Sequence, residues 1–158
     1  MGSLEKPSRW QDAPPLFGDQ GVWHQYTYGL AGEKFFRGLM EEKLLAATCP
    51  ECGRRYLPPQ IYCPECFTRT GDWTEVKPPG VVQSFTVLHR DLEDAPLPEP
   101  QVVVFISFPG TCGGIIHLLG EIPREEVCIG LLVEPVFADE KQGNWQDIRY
   151  FRPARRAG

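Results

Sequence analysis

The stretch TCPECGRRYLPPQIYCPEC, residues 48 to 66, contains two Cys-x-x-Cys turns, Cys49/Cys52 and Cys63/Cys66, ten residues apart. A tetrahedral zinc ion takes four soft ligands at about 2.3 Å, and each Cys-x-x-Cys turn delivers two sulfurs to one point. Two such turns close a site. Pro50 and Pro64 follow the first cysteine of each turn and stiffen it, and Gly53 stands after the first turn, where positive φ is often required. A redox dithiol or a disulfide would need only one such pair, and the chain shows no export signal that would favour oxidised thiols. The spacing therefore predicts a metal site with Cys49, Cys52, Cys63 and Cys66 as ligands. Iron in a rubredoxin-like site uses the same ligand set; zinc is expected because nothing here calls for redox chemistry. Four protein thiolates leave no coordination position for water or substrate, so the expected zinc is structural, and its binding supplies folding free energy to a ribbon with little core of its own.

Outward from this stretch, residues 1 to 22 are rich in Pro, Gly, Asp and Gln and read as an extended arm carrying Trp10. Residues 23 to 70 read as a helix and zinc ribbon. Phe35, Phe36, Leu39 and Met40 fall on one face of a short amphipathic helix, Gly32 to Glu42, and Leu44 to Thr48 runs as a strand into the first turn. After Gly71 the text changes to strands at Trp73 to Val76, Gly80 to His89, Gln101 to Phe108, Ile115 to Glu121, Leu131 to Phe137 and Asp147 to Phe151. Proline- and glycine-bearing turns separate them, among them an acidic proline loop from Asp91 to Pro100. Five principal strands after a short lead-in predict a small antiparallel barrel over 71 to 153, with an OB-fold the natural candidate and an SH3-like barrel or an open sandwich the alternatives, followed by a tail at 154 to 158. The fold class expected is mainly β with a short N-terminal helix.

The formal charge of -5 comes from residues 71 to 158, which hold eight basic and thirteen acidic side chains. That balance works against a surface that neutralises phosphates, so nucleic acid is a minority expectation. No run reaches the roughly 18 apolar residues of a membrane span, and the first thirty residues lack a continuous apolar segment of signal-peptide type, so a cytoplasmic protein is expected. Cys112 and Cys128 are read as buried or bland free thiols. The histidines at 24, 89 and 117 are scattered, and no nucleophile and base can be placed together from sequence.

The order of parts now carries a resemblance. Tyr26-Thr-Tyr-Gly-Leu-Ala-Gly-Glu-Lys-Phe-Phe36, the two cysteine turns, Ile-Gly-Leu-Leu-Val-Glu-Pro-Val-Phe at 129 to 137 and Tyr-Phe-Arg-Pro at 150 to 153 resemble the acyl-CoA-associated family that joins a rubredoxin-like zinc ribbon to an OB-fold. The resemblance implies a non-catalytic accessory subunit in a hetero-oligomer with a thiolase-like protein, helping to bind or position acyl-CoA. Related pairs serve mevalonate-pathway thiolases, steroid side-chain aldolases and the benzoylsuccinyl-CoA thiolase of aromatic degradation. With that implication, Lys34, Arg37, Arg54, Arg55 and Arg69 are candidates to meet the phosphates of a coenzyme A thioester or a partner, against the alternative of solvated surface charge. Phe35 and Phe36 are candidates to flank its acyl or adenine group, against the alternative of core packing. A nucleic-acid module and a stand-alone acyl-CoA enzyme using His89 or Cys112 are the competing functions.

Overall fold

The computed structural model describes residues 27 to 155; the expected arm at 1 to 22, with Trp10, and also Trp23, His24, Tyr26 and Arg156, lie outside them. Helix α1 spans Gly29–Met40, three residues earlier than the apolar pattern suggested, and buries Ala31, Phe35, Phe36 and Leu39 on one face. It ends where the amides of Glu41, Glu42 and Lys43 turn back onto the carbonyls of Gly38 and Leu39. On its exposed face Arg37 pairs with Glu33 one turn before it, at 2.8 Å.

Strands β1 (Leu44–Thr48), β2 (Arg55–Leu57), β3 (Gly71–Val76) and β6 (Cys112–Gly113) form a four-stranded sheet in the order β3-β1-β2-β6. The reading that took Trp73 to Val76 as a lead-in to the barrel is corrected here: β3 lies antiparallel along β1, from Leu44 opposite Val76 to Thr48 opposite Gly71. Its alternating burial gave no hint of which neighbour it would choose, because period two marks a strand but not its partner. The short β6 comes from the glycine-rich turn of the second half and pairs in parallel with β2 at Tyr56 and Leu57, stitching ribbon to barrel.

The second sheet contains β4 (Gly80–Arg90), β5 (Pro96–Ser107), β7 (Ile115–Leu119), β8 (Leu132–Phe137) and β9 (Ile148–Pro153). They pair in the ring β4-β5-β7-β9-β8, the five-stranded, partly open architecture of an OB-fold. Two joins are thin. A single pair, Leu119 with Phe151, connects β7 to β9, and it is parallel where antiparallel pairing was expected; two pairs connect β4 to β8. The acidic proline loop proves shorter than expected: β4 and β5 continue as a hairpin that pairs as far as Arg90 with Pro96. Pro96, Pro98 and Pro100 lie where the register slips, between Leu88 opposite Gln101 and Arg90 opposite Pro96, as fits residues that bring no N–H to the ladder.

One apolar core joins the two halves. Phe35, Leu39 and Leu44 pack in a single cluster with Leu57, Val82, Val104, Ile106, Phe108, Ile115, Val133, Ile148 and Phe151. Phe35 and Phe36 meet Trp145 with ring centroids 5.1 and 5.8 Å apart. Trp145 is held by a short turn that Asp147 organises from within: its fully buried carboxylate accepts from the Gln142 amide at 2.7 Å and the Gly143 amide at 2.9 Å. Two charge-assisted bonds offset the desolvation of that carboxylate. Among the described residues no helix is long and apolar enough to cross a membrane.

Candidate metal centre and binding surfaces

Both cysteine turns fold alike. The Gly53 amide returns to the Cys49 carbonyl at 3.0 Å and the Phe67 amide to the Cys63 carbonyl at 2.9 Å; the Cys49 and Cys63 amides bond the Arg54 and Thr68 carbonyls at 2.8 and 2.9 Å. The residue after each second cysteine is left-handed, Gly53 at φ 69 and Phe67 at φ 54. Glycine takes that conformation freely, whereas a side chain costs about 1 kcal/mol or more there. Phe67 is also 82% exposed, so among the described residues little packs on its ring to repay the strain.

The four sulfurs lie within 4.8 Å of one another, and Cys52 Sγ is 3.7 Å from Cys63 Sγ. Four sulfurs at about 2.3 Å from a common ion stand about 3.8 Å apart, so this donor set fits zinc. Electrostatics agrees. Burial works to raise the Cys63 thiol, but the Tyr56 hydroxyl and the amides of Cys66 and Glu65 outweigh it and bring the pKa down to about 6. Tyr56 lies 3.2 Å from Cys63 Sγ, and its own pKa rises to about 12, first through that bond and then through burial. The Cys66 thiol is pushed up to about 12 by its contact with the Cys52 sulfur and by burial. The cage thus favours a thiolate at Cys63 and opposes one at Cys52 and Cys66, and a divalent cation is what allows the sulfurs to ionise together. Bound there, zinc would cross-link the two turns; Arg54 and Glu65, one from each turn, already pair across the outside at 2.7 Å.

The other candidate residues separate. Phe35 and Phe36 are buried in the core, so core packing, the alternative reading, is what surrounds them. Lys34 stands over the Trp73 ring at 4.6 Å, Arg37 pairs with Glu33, and Arg55 donates to Thr74 Oγ1 at 3.0 Å with its Nε buried and unpartnered. Arg69 lines a cleft of ≈ 620 Å³ with Tyr28, Leu30, Ala31, Ile61 and Tyr62, between the start of α1 and the ribbon. Cys112 and Cys128 are free, as expected, but exposed, so of the two expected settings burial is the one that does not hold. His117 stacks edge-on against Phe151 at 5.8 Å, and its Nδ1 is buried without a partner. Burial pushes its pKa below the ordinary value.

A surface absent from the sequence reading lies on the outside of β5 and β7. Val103 is opposite Leu118, Phe105 opposite Ile116, and Thr86 and Leu88 of β4 extend the same side opposite Val103 and Gln101. Ile116 is 69% exposed, Leu88 is exposed, and at the hairpin tip Leu92 is fully exposed. In OB-folds the outer face of the second and third strands, with the loop joining the first two, is the ligand-binding face. Here those strands are β5 and β7, and their face is apolar, not basic. Alternation could have signalled it, since Val103, Phe105, Ile116 and Leu118 share one side once the register is known.

The sequence matches two family models in succession: the ChsH2 rubredoxin-like zinc ribbon domain over residues 36–70 and the ChsH2 C-terminal OB-fold domain over residues 73–138. Among solved structures, a DUF35-family protein of unknown function from Sulfolobus solfataricus is 28% identical, with a TM-score of 0.62 over 79% of this chain and 84% of that one. A chain of the Ltp2-ChsH2(DUF35) aldolase is 22% identical, with a TM-score of 0.63 over 82% of this chain and 98% of that one. No curated protein matches the sequence. A sulfur cage of zinc-ribbon geometry, an OB-type barrel behind it and two adjoining matches in the same order place the chain in the ChsH2 (DUF35) family of zinc-ribbon and OB-fold proteins.

Proposed function

We propose that this protein is an accessory subunit of a thiolase-like enzyme, docking on it through the outer face of β5 and β7 and helping to hold the acyl-CoA that the enzyme cleaves or forms. The observation that carries the reading is the apolar face on which the exposed Ile116 stands among the half-buried Val103, Phe105 and Leu118, on the strands an OB-fold uses for ligands. Apolar side chains gathered and partly exposed on one face mark interaction sites, and a face without basic side chains suits a protein partner better than a nucleic acid. The aldolase named for Ltp2 and ChsH2 together supports a partner of that class. The cleft beside Arg69 is the favoured acyl-CoA contact, because an apolar lining of Tyr28, Leu30 and Ile61 beside one guanidinium suits an apolar arm with a phosphate end.

The test is co-expression with a thiolase-like protein followed by size-exclusion chromatography with light scattering and an activity assay. Joint elution, with activity that falls when this chain is omitted, is expected. Separate elution together with unchanged activity would overturn the reading.

A further inference from the structure

A second cleft, ≈ 300 Å³ in volume, opens at the far end of β7 and is lined by Gln101 from β5, Leu118 from β7, Gly120, Ile122 and Arg124 from the segment that follows, and Arg149 and Tyr150 from β9. Its parts are arranged before any ligand arrives. A Cβ on Gly120 would stand 3.0 Å from the Tyr150 ring, so the glycine is what lets that ring lie flat against β7. The Tyr150 hydroxyl donates to Glu121 Oε1 at 2.6 Å, which fixes the ring in its plane. Arg149 lies across the ring, its guanidinium carbon 5.8 Å from the centroid, within the range of a cation–π contact. Glu121 also faces Arg152, at 3.7 Å. Among the described residues neither Arg124 nor Arg149 has a carboxylate partner, although Glu99 stands on the rim. Arg54, Arg90 and Arg152 do have such partners.

We infer that this cleft binds an organic phosphate, with the phosphate between Arg124 and Arg149 and the carbon portion on Leu118 and Ile122. Guanidinium forks match phosphate oxygens in pairs, and an arginine held on an aromatic face loses less freedom on binding than one in open water. Gln101 supplies an amide donor at the edge, and the aliphatic floor separates an organic phosphate from the inorganic ion. Leu118 borders both this cleft and the docking face, but the inference does not rest on the docking reading, because binding is read on the protein alone.

Calorimetry on the zinc-loaded full chain tests it, with phenyl phosphate and inorganic phosphate as probes at low ionic strength. Phenyl phosphate is expected to bind with a dissociation constant of about 1 mM or lower. The double variant Arg124→Gln/Arg149→Gln is expected to weaken it by at least about tenfold, as the loss of charge-assisted bonds predicts, while Lys77→Gln leaves it unchanged. Amide shifts at Gln101 and Gly120 in the NMR spectrum should follow the titration. Absence of saturable binding, equal affinity for the two probes, or affinity that survives the double substitution would overturn the site. No partner is present in this experiment, so either result leaves the proposed complex untouched.

Discussion

The zinc ribbon and the barrel are neighbours made stable by different means. Around the cysteines the buried apolar set is Cys49, Tyr56 and Cys63, with Cys66 partly buried beside them. The barrel and α1 share the large cluster from Phe35 to Phe151. A unit with so little apolar burial cannot offset the entropy of ordering its own chain, so the sulfurs and their ion must supply the difference. The barrel needs only its side chains. The boundary does not fall at the first cysteine, because the roots of β1 and β2, Leu44 and Leu57, belong to the large core.

The largest effect should come from removing the metal. Chelation, or Cys63→Ser, is expected to abolish order around the two cysteine turns, at about residues 49 to 54 and 60 to 69, through loss of binding free energy on the order of 10 kcal/mol, while Leu57 keeps its place in the large core. Hydrogen exchange should show the barrel amides still protected. Collapse of both regions together would break the comparison. The converse change, Phe151→Ala, removes a ring with 0% exposure and is expected to cost about 3–5 kcal/mol. A denaturant titration should show barrel and α1 weakening together, and retained metal would be read from bound zinc.

A smaller change separates surface from core. Ile116→Glu on the outer face should leave the melting temperature nearly unchanged but weaken a thiolase-like partner by about 2 kcal/mol, as for a central contact residue. Equal affinity of the variant and parent in a pull-down titration would move the docking surface elsewhere. In the ribbon, Phe67→Gly relieves a left-handed side chain and is expected to stabilise the metal-bound ribbon by about 1 kcal/mol. Loss of partner binding in that variant would instead assign the exposed ring to an interface.

The smallest effect concerns pH. Burial lowers the His117 pKa in the folded barrel, so the unfolded chain binds its proton first as pH falls. The contribution is present above about 6.5, the unfolded value, and fades as pH drops towards the depressed folded value. His117→Phe, which keeps a ring against Phe151, should flatten that part of the stability profile. An unchanged slope between neutral pH and the folded value would show that another group sets it.

Much of this was legible in the residues themselves. The Cys-x-x-Cys pairs named the ligands because thiolate geometry is local: each turn is only a few residues long and is closed by its own backbone bonds. Alternating apolar residues located the barrel strands, and Phe35, Phe36 and Leu39 marked one helix face. What escaped was pairing. Nothing in Trp73 to Val76 says that it lies along β1, nothing in Cys112-Gly113 says that it reaches β2, and the prolines at 96, 98 and 100 suggested a loop where β5 already runs.

Sequence alone thus determined the sulfur cage, the kinds of element and their order, because those follow from spacing and period over short stretches of chain. Only the tertiary structure decided that Val103, Phe105, Ile116 and Leu118 share an outward face and that Arg124 comes to the same cleft as Arg149. Those groupings depend on strand register and on a single parallel join between Leu119 and Phe151. Register is a sum of many long-range contacts, and no single segment encodes it.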